Sequence, residues 1–105
     1  MREQTITEQY ALIARNTFGK RVGNALVTSK PAFTLHGSVT PAMHTLCASM
    51  LALIKGAQQV DVIHWSPGIE LESVPVLMVA RSGGEKGQIG YEIRDTRYEK
   101  EHATD

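Results

Sequence analysis

The residue pattern predicts an α+β domain, ordered α-β-β-α-β-β-β, with two helices packed on a mostly antiparallel sheet. Three observations lead to it. Two segments open on helix-start signals and continue with apolar residues at helical spacing, while the remaining apolar runs are short and separated by Gly, Pro and Ser. The third is size: 105 residues, 42% of them hydrophobic, suffice for one core and leave no room for a second domain. The chain therefore reads as a single domain over 1–105.

Thr5 followed by Glu8 has the form of a capping box, and Ile6, Tyr10, Ile13 and Thr17 fall at helical spacing, which predicts a first helix over Ile6–Phe18. Gly19 stands where a left-handed residue would end it, and Lys20 and Arg21 stand where the helix dipole favours cations. Between Val22 and His36 the period drops to two, predicting two short strands broken at Ser29-Lys30-Pro31. The second, Ala32–His36, turns Phe33 and Leu35 to one face and Thr34 and His36 to the other.

Thr40-Pro41 is the clearest helix start, because Thr accepts from the unpaired amides of a first turn and Pro has no amide to leave unpaired. The second helix is predicted to run to about Lys55, with Gly56 as its stop. Met43, Leu46, Cys47, Met50, Leu51 and Ile54 make a core stripe along it. Away from that stripe, His44, Thr45, Ala48, Ser49, Ala52 and Lys55 are small and almost uncharged, and no Asp, Glu, Lys or Arg occurs from Pro31 through Ile54. A surface helix normally carries such charges. This one is expected to be covered on more than one side, by the first helix or by a second copy of the chain.

Val60–Trp65 reads as a strand and Ser66-Pro67-Gly68 as a turn. Val74–Ala80 is nearly continuously apolar, which predicts a central strand buried on both faces. Ser82–Gly87 reads as a hairpin loop, and the returning strand Gln88–Asp95 places Ile89, Tyr91 and Ile93 inward. The charged tail, 96–105, is expected to fray. Lys86 precedes its glycine and a strand follows, so the Gly83–Gly90 segment lacks the order of a phosphate-binding loop.

Eleven basic residues balance eleven acidic ones, which removes the case for a strongly basic nucleic-acid protein. Through Lys55 six basic residues face two acidic, and after it five face nine, so the two halves are expected to meet and neutralise each other. Cys47 is the lone cysteine; it excludes an internal disulfide and fits a reducing, cytoplasmic setting. Arg2, Glu3, Gln4 and Glu8 occupy the place of a signal-peptide core, and the longest near-apolar run, Leu46–Ile54, falls far short of the roughly 20 residues a membrane span needs. His36, His44, His64 and His102 share no metal-ligand spacing with Cys47 or a carboxylate, so neither a metal nor a cofactor is expected.

Two sets of residues are candidates for binding. His64-Trp65, at a strand end, offers a stacking platform, and Arg15, Lys20 and Arg21, with Lys30, offer basic contacts. Cys47 with His36 is the candidate for chemistry, because a thiol attacks only as thiolate and a nearby histidine can hold it in that form. A strand ending in His36-Gly37, a short loop, and then Leu46-Cys47-Ala48-Ser49-Met50-Leu51-Ala52-Leu53 resembles the ribosomal-processing cysteine protease family over Phe33–Leu53. That resemblance implies Cys47 as nucleophile and His36 as base, in a protease that trims a ribosomal protein.

The residues favour a non-enzymatic function: a small binding or interaction module that forms a homo-oligomer, a homodimer first, with a different protein as the other option for a partner. A cysteine hydrolase using Cys47 and His36 is the alternative, and nucleic-acid binding through the basic N-terminal half ranks third.

Overall fold

The computed structural model describes residues 6–94. It corrects the predicted fold: these residues form five strands in one wholly antiparallel sheet with a single α-helix, in the order β-β-α-β-β-β. The strands are β1 (Glu8–Arg15), β2 (Arg21–Ser29), β3 (Gln59–His64), β4 (Met78–Arg81) and β5 (Gly90–Ile93), and the helix is α1 (Pro41–Leu53). Across the sheet the order is β2-β1-β3-β4-β5.

The first predicted helix, Ile6–Phe18, is β1. Its segment Tyr10–Ala14 is an unbroken apolar run, and those five residues are at most 2% exposed because both faces of the strand are covered. A strand buried on both faces shows no alternation, and so its apolar residues also satisfy a helical template. Thr5 lies outside the described residues; Glu8 accepts a hydrogen bond from the Tyr10 hydroxyl at 3.0 Å. Gly19, at φ 82°, closes the β1–β2 hairpin where a helix stop was expected. A left-handed glycine serves either role.

Two strand predictions are also corrected. Ala32–His36 forms no strand: only an isolated bridge joins Phe33 to Val39, around a turn in which the Gly37 amide donates to the Thr34 carbonyl at 3.0 Å. Of Val74–Ala80 only Met78 onward is strand, and the central strand of the sheet is β3. The tail over 96–105 lies outside the described residues.

The helix at Thr40-Pro41 forms as expected. Thr40 caps it, accepting from the Met43 amide and donating to the Pro31 carbonyl at 2.8 Å, so one hydroxyl also pins the preceding loop. Met43 and Cys47 are fully buried against Leu12, Val60, Val62 and Met78 on one face of the sheet. At its far end Ile54 packs over Gly23, where an added Cβ would stand 2.8 Å from the Ile54 Cδ1.

Irregular chain covers the opposite face. Trp65, Leu71, Val74 and Val76 pack on Ala11, Ile13 and Ile63. Arg15 ties that cover down, donating from Nε to the buried Asp61 at 2.9 Å and from a terminal nitrogen to Glu72, on the covering segment, at 2.7 Å. Asp61 is 5% exposed and takes a second bond from Gln59, so its charge is fully partnered.

Replacing Asp61 by Ala leaves Arg15 without its buried partner and is expected to cost about 2–3 kcal/mol, discounted because Arg15 keeps Glu72 and reaches solvent. Glu72→Ala, at an exposed position, is expected to cost less than about 1 kcal/mol. Urea unfolding of both variants checks the order; equal losses would mean that the pair is not the fastening.

Candidate functional site

Cys47 sits on the buried stripe of α1 and is 0% exposed. Burial pushes its thiol pKa up to about 12, well above the ordinary thiol range. At neutral pH the thiol stays protonated. His36 is exposed at the tip of the Thr34–Gly37 turn, while the Cys47 thiol is buried on α1. The fold places base and nucleophile in opposite environments, and Cys47 serves the core.

The other candidates are also placed by their partners. Trp65 packs with the cover of the far face and donates its indole N–H to the Ile69 carbonyl at 2.9 Å. His64 pairs with Glu8 through Nε2 and stacks on Tyr10, with ring centroids 5.0 Å apart and planes 13° from parallel. Arg15 is committed to Asp61 and Glu72, and Arg21 lies 3.7 Å from the other oxygen of Glu72. Lys20 and Lys30 flank opposite ends of β2, which at about 3.3 Å per residue separates them by nearly the full strand length. Arg15, Lys20 and Arg21 thus stand together at the β1–β2 hairpin, where Glu72 pairs with both arginines, and Lys30 stands apart from them.

Three concave places among the described residues bear on function. Glu8, Tyr10 and His64 border a cavity of about 90 Å³ under Pro31 and Phe33, where the Tyr10 hydroxyl also accepts from the Ala32 amide at 2.9 Å. A more open pocket of about 370 Å³ lies between His44 and the Gly87–Ile89 loop. Beside it the Tyr91 hydroxyl bonds to His44 Nδ1, and burial pushes its pKa up to about 12. The third is an apolar groove of about 230 Å³ between α1 and β2, walled by Leu12, Ala25, Val27, Leu46, Met50, Leu53 and Ile54, with Ser49 as the only polar wall residue.

The groove is the place with a continuation. Along its rim Leu53 is 83% exposed, and the outer residues of α1, His44, Thr45, Ser49 and Ala52, present no charge to solvent. The predicted core stripe includes Leu46, Met50, Leu51 and Ile54, yet all four stay only partly buried. One helix covers the sheet where two were expected, so nothing from a first helix reaches them. Sequence reasoning did not single out Leu53, although it stands among Leu51, Ala52 and Ile54 at the end of the charge-free run.

A separate exposed aromatic stands on the β1–β2 turn. Phe18 is 91% exposed on a turn held by Asn16, whose side-chain oxygen accepts from the amides of Phe18 and Lys20 at 2.9 and 3.0 Å. Among the described residues no group of three or more His, Cys, Asp or Glu side chains converges as a metal site would require. No described helix is long and apolar enough to cross a membrane.

Compared with known proteins, the chain matches no family model, no curated protein and no solved structure.

In the folded protein Cys47 is expected to resist iodoacetamide at neutral pH and to react only on unfolding; rapid labelling of the folded chain would restore a thiolate role. Because the thiol pKa is higher folded than unfolded, its contribution is complete below about 9 and is lost as the pH climbs toward 12. The decline is about 1.4 kcal/mol per pH unit in that window. Unfolding free energies of wild type and Cys47→Ala, measured across alkaline pH, should converge as pH rises.

Proposed function

We propose that this chain is an interaction module that self-associates, with the uncharged face of α1 and the groove beside β2 as the contact surface. One observation carries the reading: the helix runs through thirteen residues without a charge, and its exposed Leu53 sits on the rim of an apolar groove. An exposed helix face normally carries Lys and Glu, and contiguous apolar surface of this kind marks contact sites. Leu53, Met50 and Ile54 would leave water together on association.

A second copy is the partner we favour because the chain has no net charge at neutral pH, so two copies meet without overall repulsion. The same surface in a homodimer supplies its own complement, apolar against apolar, with no charge left unpaired. A cytoplasmic setting fits the single protected thiol. The fully buried Cys47 supports a binding role over a hydrolytic one.

Light scattering with in-line size exclusion, over a range of protein concentration, tests the proposal. Wild type should be a dimer at micromolar concentration. Leu53→Lys, at a position 83% exposed, should change monomer stability by less than about 0.5 kcal/mol. It should weaken association at least tenfold, about 1.4 kcal/mol. A wild type that stays monomeric at all concentrations would sink the reading.

A further inference from the structure

The groove opens beside the outer edge of β2, and the two edges of the sheet differ in chemistry. β5 is four residues long, and its Glu92 is held between Arg81 at 2.9 Å and Arg94 at 3.1 Å, so charge lines that edge. β2 is nine residues long, and between Arg21 and Lys30 it carries no charge and no proline. Among the described residues nothing pairs with its outer side. Sheet edges are normally guarded by short strands, charges or proline, because their unpaired amides and carbonyls are a template for another strand. This sheet guards one edge and leaves the other open.

Apolar side chains reach the open edge on both faces, on the far face only Leu26, between exposed Asn24 and Thr28. On the helix side Ala25 and Val27 are walls of the groove; on the other side Leu26 is 52% exposed. From these features we infer that a second copy adds along β2, antiparallel, so that the two sheets become one continuous sheet. This rests on the self-association proposed above and gives it a geometry. A two-fold axis normal to the sheet keeps both copies of α1 on the same face, with the two grooves facing each other across the joined edge. From Val22 to Ser29 β2 carries no charge, so such a pairing sets like charges against each other only at its two ends, Arg21 of one copy toward Lys30 of the other.

Amide hydrogen exchange across Gly23–Thr28, read at protein concentrations above and below the dissociation constant, tests the inference. In an edge strand every second amide points away from its neighbour strand. Those alternate amides should be protected in the dimer and should lose at least tenfold of that protection on dilution to monomer. Leu26→Lys should weaken the dimer at least tenfold while the monomer keeps its fold. A dimer whose alternate β2 amides still exchange freely, and which ignores Leu26→Lys but responds to Leu53→Lys, overturns the strand pairing while leaving self-association intact. Protection of all β2 amides in a monomer also overturns it, since the chain would then cover its own edge. A wild type that never dimerises removes both readings.

Discussion

β1 and β3 are buried on both faces, and that constraint organises the rest of the chain. A strand with Leu12 inward on one side and Ile13 inward on the other needs two covers, and the described residues form one α-helix. The helix takes one face. The stretch from Trp65 to Leu77 takes the other, packing Trp65, Leu71, Val74 and Val76 against it. Arg15 supplies the fastening, reaching from the end of β1 to Asp61 on β3 and Glu72 on the cover. The pair lies at the edge of that cover, where the guanidinium still reaches solvent and the desolvation penalty is reduced.

With α1 laid across β1 and β3, no second helix among the described residues fills the flank over β2. Ala25 and Val27 in the strand face Met50 and Leu53 of the helix, and Ile54 just past its end, across a groove. Gly23 lets the end of the helix sink toward the strand, yet farther along the gap remains. The same shortage of helix thus accounts for the irregular cover on one face and for the open flank on the other.

Much of this was legible in the residues, and the failures have physical causes. Thr40-Pro41 announced α1 because a cap is local chemistry that tertiary packing seldom overrides. β3 and the inward set Ile89, Tyr91 and Ile93 were legible because their patterns had no competing template. β1 was misread as helix because complete burial erased its alternation, and the error propagated: with a false helix assigned, the charge-free face of α1 had an internal partner to lean on. The cover from Trp65 to Leu77 could not be seen at all, since an irregular segment has no period to detect. As for the sites, spacing placed Cys47 on the core stripe, which its burial bears out, whereas the Glu8, Tyr10 and His64 cluster arises only when β1 pairs with β3.

The charge pattern connects these points. The basic excess of the first half and the acidic excess of the second meet in the fold: Arg15 and Arg21 from the first with Asp61 and Glu72 from the second. Those contacts lie on the face away from α1 or at the sheet end, and they use up charges within one copy of the chain. The surface of α1, the groove and the interior of β2 take no part in this exchange, because they have no charge to contribute. Charge is thus spent on closing the monomer, and the surface kept free of it is continuous from the helix to the open strand. Apolar residues that happen to face water are normally scattered singly over a surface. The continuity of this one, across two elements that are distant in sequence, is what an interface requires.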